Sequence, residues 1–318
     1  MTILNYHGFR DWAVRKDVNE DLKRSFTFGF ELEVTLNDDS NSVIDGSNSV
    51  TPTMLSNKIK SKFGKLFVCE RDGSIGNGVE IISQPMTWKW FMNHLDTFKE
   101  LLNLCVESGF DSHTGDLCGL HVHIGREALC GFDNNNRSLN QDSVITNINY
   151  IMERYQNELF KFSRRTLNSY RHWCSSRTDL IDLNGHKFID KERIGEASND
   201  ITDRYYSLNL CNEKTIEFRF LRGTLKWETF FISLNLLKNI VENSRKSSHV
   251  ITLEDLIFNG LDDNFKKYAI DYCKKRKITD EESDWKKPLF LEKTNSESLS
   301  NIFRFNELDL ANDILNDE

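Results

Sequence analysis

Three short segments each set chemically competent side chains two residues apart. In residues 26–34 (Phe-Thr-Phe-Gly-Phe-Glu-Leu-Glu-Val), strand alternation sends Phe28, Phe30, Leu32 and Val34 to one face and Gly29, Glu31 and Glu33 to the other. Two carboxylates on one strand face lie about 7 Å apart and repel unless a cation lies near them, which suits a hard metal with oxygen ligands. In residues 119–125 (Gly-Leu-His-Val-His-Ile-Gly) the same alternation aims His121 and His123 one way and Leu120, Val122 and Ile124 the other. Paired imidazoles flanked by glycines suit a metal or a phosphate. In residues 215–221, Ile216, Phe218 and Phe220 are expected to face a core, with Glu217 beside Arg219 on the opposite face. Taken singly, each segment has an ordinary explanation: a solvated strand face, hydrogen-bonded histidines, a cross-strand ion pair worth little.

A fourth segment, residues 70–85, is rich in turn residues at Asp72-Gly73 and Gly76-Asn77-Gly78 before it enters an apolar run. Within that run Glu80 lies among Val79, Ile81 and Ile82. A carboxylate there is costly unless a partner such as a buried cation offsets it.

The elements that must hold these groups alternate irregularly. Apolar residues recur at helical spacing over 88–106 (Trp88, Phe91, Leu95, Phe98, Leu102, Cys105), with Gly109 as a stop. Further helices are expected over 143–165 and over 227–244, the latter with Phe231, Leu234, Leu237 and Val241 on one stripe. The last seventy or so residues read as mainly helical, with a frayed acidic end at 312–318. Polar stretches at 37–48 and 133–141 read as loops, and loops 37–61 and 125–142 are where substrate specificity is expected to reside. Without the repeated β-α rhythm of a doubly wound sheet or barrel, the expected class is α+β.

Composition narrows the partners. A formal charge of −8, from 49 acidic against 41 basic residues, offers no excess of positive charge for a nucleic-acid backbone. Apolar stretches fall short of a membrane span, and the polar start lacks a signal pattern, so no membrane association and a cytoplasmic location are expected. The seven cysteines are odd in number and form no C-x-x-C pair, which suggests reduced thiols; Cys118 with His121 and His123 lacks the cysteine pair that would complete a zinc site.

In order, the segments read Gly-Phe-Glu-Leu-Glu, Asp-Gly-Ser followed by Val-Glu-Ile-Ile-Ser-Gln-Pro, Gly-Leu-His-Val-His-Ile-Gly, Arg-Tyr-Tyr-Ser-Leu-Asn (204–209) and Thr-Ile-Glu-Phe-Arg-Phe. Over residues 26–224 this series resembles the amidoligase family of the glutamine synthetase and glutamate–cysteine ligase superfamily. The resemblance implies a glutamine synthetase-like curved antiparallel sheet, with helices packed on its convex face and the active site on its concave face. Residues 1–248 would form the catalytic domain and 249–318 a helical extension packed on or capping it.

The resemblance also implies roles. Glu31, Glu33, Glu80, His121 and Glu217 fall on metal-ligand positions, and His123 falls where a second histidine reaches the nucleotide phosphates. Arg204 and Arg219 match arginines that steady the transferring phosphoryl oxygens, and Arg165 lies in a segment loosely like another nucleotide-binding one. Asn209 matches a substrate-side residue. Asp72 lies near a further metal-binding glutamate of the glutamine synthetases and is assigned to the substrate side.

The implied activity is ATP-dependent amide-bond formation through an acyl phosphate, joining an amino-acid, peptide or protein carboxylate to an amine. Oxygen-rich ligation favours Mg²⁺ or Mn²⁺ over zinc. Two rivals make different demands: a metal-dependent hydrolase using the His-x-His pair, and a non-catalytic binding member of the superfamily.

Overall fold

In the computed structural model, the described residues are 3–5, 11–22, 25–36, 51–113, 117–129, 141–174, 204–246 and 249–291. The strand that carries Glu31 and Glu33, β2 (Thr27–Leu36), runs for ten residues through the middle of the main sheet. Around it lie β1 (Ile3–Leu4), β3 (Phe67–Glu70), β4 (Gly78–Ser83), β5 (Met86–Thr87), β6 (Phe110–Asp111), β7 (Gly119–Gly125), β8 (Leu208–Asn209) and β9 (Thr215–Arg222). The order is β1-β3-β4-β2-β7-β9-β8, with β5 and β6 pairing on opposite ends of β2, making nine strands. Every pairing is antiparallel except β1 with β3.

Alternation along β2 separates two environments, as its sequence pattern requires. On the apolar face Phe28, Phe30, Leu32 and Val34 are fully buried beneath α2 (Trp88–Asn93), α3 (Leu95–Glu107) and α7 (Trp227–Ser244), which follows α1 (Pro52–Phe63), α4 (Gln141–Arg154), α5 (Gln156–Ser163) and α6 (Leu167–Trp173). Phe28 meets Phe91 edge-to-face at 5.4 Å, Phe30 meets Phe230 at 5.2 Å, and Phe91 meets Phe98 at 4.7 Å. Each such buried ring contributes roughly 1.5–3 kcal/mol by leaving water, and edge-to-face contact adds about 0.5–1.5 kcal/mol. Burial of this face fixes the register of β2, because a slip by one residue would put every phenylalanine on the polar side. The architecture is mixed α+β, with a large, mostly antiparallel sheet.

Two helices expected to be continuous are broken by ring side chains. The 88–106 segment divides at His94, whose Nδ1 lies 2.7 Å from the carbonyl oxygen of Trp90 and whose ring stacks on that indole at 3.9 Å. The 143–165 segment divides at Tyr155, which is buried and donates its hydroxyl to the carbonyl of Lys287 at 2.7 Å, tying the helical pair to the C-terminal segment. By contrast, α7 begins and ends where the periodicity places it, although apolar residues such as Phe230, Leu236 and Ile240 bury a second side of it as well.

Residues 249–291 are less helical than expected. A two-stranded antiparallel ribbon, β10 (His249–Ile251) with β11 (Leu289–Leu291), brackets α8 (Leu253–Phe258) and α9 (Asp263–Lys275). Leu256 and Ile257 join the core, and Asn235 and Asn239 of α7 donate to carbonyls at the end of α8, at 3.0 Å to Asn259 and 2.9 Å to Leu256.

The 37–61 segment is not a loop throughout, because α1 occupies its end: Thr51 accepts the Met54 N–H and Pro52 occupies the first turn, where its missing N–H costs nothing. Within 125–142, Arg126–Leu129 forms a 3₁₀ turn and Gln141 opens α4. The polar stretches 37–48 and 133–140 and the acidic end 312–318 lie outside the described residues. No helix among the described residues is long and apolar enough to cross a membrane.

Candidate metal centre

Residues directly opposite in an antiparallel pair point to the same face, so the strand registers assemble the site. Glu33 faces Glu80, which faces Glu70; Glu31 faces His121; and His123 faces Glu217, which faces Asn209. A row of acids and imidazoles thus crosses the polar face from β3 to β8. Glu33, Glu70, Glu80, His121, Asn209 and Glu217 are all buried.

Their donor atoms fall into three overlapping groups, each with its atoms within 4.8 Å of one another: Glu31, Glu80 and His121; Glu31, His123 and Glu217; Glu33, Asp72 and Glu80. His121 Nδ1 lies 3.6 Å from Glu31 Oε2 and 3.6 Å from Glu217 Oε1, and His123 Nε2 lies 3.1 Å from Glu31 Oε1. Neither nitrogen is aligned to hydrogen-bond with those oxygens, and both are buried without a hydrogen-bond partner. In the metal-free protein charge alone, without a hydrogen bond, holds these nitrogens among the carboxylate oxygens. Carboxylates with occasional imidazole form the donor set of Mg²⁺ or Mn²⁺, so these residues fit a hard divalent cation.

Charge accumulates unevenly along the row. Burial pushes Glu80 up to about 10, and the neighbouring charges of Glu31, Glu33 and Asp72 push it the same way. At neutral pH the metal-free protein therefore holds a proton on Glu80. Burial also opposes ionisation of Glu31, but His123 and His121 outweigh it and hold that carboxyl well below the usual range. Against its own desolvation, His123 is raised to about 9 by Glu31 and Glu217. Glu217 is lowered, its burial overcome by His123 and Arg219.

Surrounding groups hold the row in place. Glu33 accepts the Gly119 N–H at 2.5 Å. A Cβ on Gly119 would lie 2.7 Å from both Arg165 Nη2 and His121 Nε2, so any larger residue there would have to displace those two side chains. Asn209 donates to Glu217 Oε2 at 2.6 Å while its own oxygen accepts the Cys211 N–H at 2.9 Å, so both ends of the amide are committed. Arg219 donates to Glu217 Oε1 at 2.5 Å and retains a buried Nε without a hydrogen-bond partner.

Strict alternation fails at one point on β9. Leu120 pairs with Leu221 but Val122 pairs with Phe218, so β9 carries an extra residue opposite His121. Beyond this bulge Leu221 packs in the core and Arg222 faces Gly119. Arg165 steadies the bulge by donating to the Arg219 carbonyl at 3.1 Å and to Ser169 at 3.0 Å. Asp72 caps the 3₁₀ turn Gly73–Ile75 by accepting the Ser74 N–H at 2.7 Å, which places it in the third donor group, with the metal-competent residues. Arg204 lies at the β8 edge, exposed, with its guanidinium 5.2 Å from the Tyr205 ring centroid and near enough to Arg219 for the two charges to oppose each other.

The motif reading did not assign roles to Thr215, Glu70 or Arg222. Thr215 Oγ1 lies 3.1 Å from His123 Nδ1 and orients Nε2 toward Glu31. Its signal was its position two residues before Glu217, on the same face. Glu70 carried no such signal, since only the β3–β4 register sets it opposite Glu80. Thr215→Val is expected to release the His123 ring from its present orientation without changing the fold, as measured by a change in the His123 imidazole NMR signals alongside circular dichroism.

No protein-family model matches the chain, and no curated protein matches it. Among solved structures, a bifunctional glutathione synthetase from Pasteurella multocida aligns at 12% identity and a TM-score of 0.37 over 70% of this chain and 40% of that one. A structure of apo GmaS without ligand aligns at 10% identity and a TM-score of 0.37 over 79% of this chain and 59% of that one. The chain thus spans less than two thirds of either protein's length. A likeness this slight carries no argument about activity, which rests on the geometry of the site.

Proposed function

We propose that this protein is an ATP-dependent carboxylate–amine ligase acting on an amino-acid, peptide or protein carboxylate. The observation that carries the reading is the row itself: three overlapping donor groups that share Glu31 and Glu80 and end beside the half-buried Arg219. The order of motifs that resembles the amidoligase family supports the same reading.

Glu31, Glu33, Glu80, His121 and Glu217, with Asp72, are the residues that would hold Mg²⁺ or Mn²⁺. When bound, the metal supplies charge neutralisation to phosphate oxygens. Arg219, fixed by Glu217, presents its remaining guanidinium nitrogens to the phosphoryl group, and Arg204 adds a second positive charge from the sheet edge. His123, held by Thr215, adds a third.

In the reaction, a carboxylate oxygen attacks the γ-phosphorus of ATP and ADP leaves, giving an acyl phosphate. An amine nitrogen then attacks the acyl carbon and inorganic phosphate leaves, with one proton lost from the amine. Asn209 has its amide committed to Glu217 and Cys211, so its part is to position Glu217. Arg165 likewise acts through the Arg219 carbonyl.

The hydrolase reading requires both imidazoles on one ion. Here His121 groups with Glu31 and Glu80, and His123 with Glu31 and Glu217, which disfavours that arrangement.

The test needs no knowledge of the acceptor. Mg²⁺ together with a non-hydrolysable ATP analogue at a hundredfold the dissociation constant is expected to stabilise the protein by about 2.7 kcal/mol, read as a rise in unfolding temperature. Stabilisation by zinc with no response to nucleotide would transfer the assignment to hydrolysis. Arg219→Ala is expected to lower ATP turnover by roughly 10²–10³-fold with metal affinity little changed, and near-normal turnover in that variant removes Arg219 from the mechanism.

A further inference from the structure

At the end of the sheet where β2 pairs with β6 lies a cavity of about 540 Å³, bounded by β6, the end of α3 and the link from β9 to α7. Thr35 of β2 pairs with Asp111 on its wall, and Ser112 donates its hydroxyl to the Glu33 carbonyl at 2.6 Å. Thr35 is two residues, about 7 Å along the strand, from Glu33, and Asp111 lies opposite it on the neighbouring strand.

The cavity combines an apolar body with positive charge. Val106, Phe110 and Leu225 supply the apolar wall, and two cations border it, Arg164 and the exposed Lys226, whose ammonium rests 4.7 Å over the Tyr268 ring at the rim. Asp111 is the wall's acid; it is buried, and its carboxylate accepts the His113 N–H at 3.2 Å.

Local backbone geometry produces this charge. Arg164 adopts a left-handed conformation (φ 64°) at the end of α5, where most side chains are disfavoured. The turn separates neighbouring arginines: Arg165 goes to the Arg219 carbonyl at the row, while Arg164 goes to the cavity and donates to the Gly223 carbonyl at 3.0 Å. Arg222, facing Gly119 across the sheet, donates to the carbonyls of His113 and Arg164 and so joins the row to the cavity wall.

We propose that this cavity binds the distal anionic end of an elongated substrate: a carboxylate or phosphate carried on an apolar body. That its reacting group then lies at the metal row rests on the ligase reading. The volume falls within the roughly 300–1,000 Å³ range of small-molecule sites and accommodates a residue-sized apolar group with its charged terminus.

The experiment is calorimetric titration of N-acetyl-L-phenylalanine, its amide and phenyl phosphate into the full chain, without metal or nucleotide, for the wild type, Lys226→Met and Arg164→Gln. The expected result is binding of at least one anionic probe at least tenfold tighter than the amide, with that preference reduced at least tenfold in Lys226→Met. Tighter binding of the acid assigns the anion to a carboxylate terminus, and tighter binding of phenyl phosphate assigns it to a phosphorylated substrate. Equal binding of acid, phosphate and amide, no binding of any probe, or an unchanged preference in Lys226→Met overturns the proposal. Lys226→Met decides the outcome if Arg164→Gln fails to fold. These titrations use neither ATP nor metal. Failure of the cavity leaves the nucleotide-dependent stabilisation intact, and failure of that stabilisation leaves the cavity result standing.

Discussion

Glu31→Gln is expected to abolish stabilisation by Mg²⁺ or Mn²⁺ and to lower ligase turnover by roughly three orders of magnitude. Glu31 belongs to two of the three donor groups, so a single substitution weakens both. It is also the main contributor raising His123 against burial, and the variant imidazole should titrate well below the wild-type value of about 9. In the wild type, saturating metal and nucleotide should raise the unfolding temperature by about 4 °C, from roughly 2.7 kcal/mol over an unfolding entropy of about 0.67 kcal/mol/K for 318 residues. The variant should show no rise, while its metal-free circular dichroism matches the wild type. A variant that folds and still responds to metal with near-normal turnover would remove the row from the mechanism.

Glu80→Gln should act oppositely on the metal-free protein. The Glu80 carboxyl is about 10 in the fold against an ordinary 4.5, raised by burial and by Glu31, Glu33 and Asp72. Between those values the folded state binds a proton that the unfolded chain has released, so stability falls as pH rises across that window. His123 adds to the slope from 6.5 upward: its folded value of about 9 exceeds the ordinary one, so its contribution is complete below 6.5 and lost as pH rises through 9. Metal-free wild type should therefore lose stability steadily from pH 5 to pH 9. Glutamine at position 80 keeps the shape and removes the titration, so the variant should be more stable at pH 8 by about 1–3 kcal/mol and show a shallower slope. The same variant should lose most of its metal response, because Glu80 belongs to two donor groups. Chemical denaturation across pH with a chelator present, then with Mn²⁺, measures both effects. A slope identical to the wild type would show that Glu80 is already ionised without metal.

The strands were legible because their pattern has only one reading. In β2, β7 and β9 as far as Phe218, apolar residues alternate with polar ones, and a period of two sets which side chains share a face. Glu80 was legible for a different reason: a carboxylate within an apolar run had to be buried, and it is. Helix continuity at His94 and Tyr155 was not legible. At the first break the His94 ring turns back onto the Trp90 carbonyl one turn earlier, and at the second the Tyr155 ring finds its partner far along the chain, at the Lys287 carbonyl. The C-terminal ribbon was hidden for a similar reason, since β10 and β11 are short and exist through pairing with each other.

The sequence by itself determined which residues could act together on each strand, because side-chain direction along a strand is a local property of the backbone. It also offered a cation, or pairing with one another, as a reading of these carboxylates and imidazoles beside the ordinary one of a solvated strand face. Only the tertiary structure decided which groups meet across strands. Glu31 beside both histidines, Glu70 opposite Glu80, and Asn209 on Glu217 all depend on register, which is fixed by phenylalanines packing on the far face and not by the acids themselves. The bulge that redirects β9 after Phe218, and the left-handed turn that sends Arg164 and Arg165 to different sites, were decided the same way. Both are local departures from regular geometry held by contacts distant in the chain, and no period in the residue pattern encodes them.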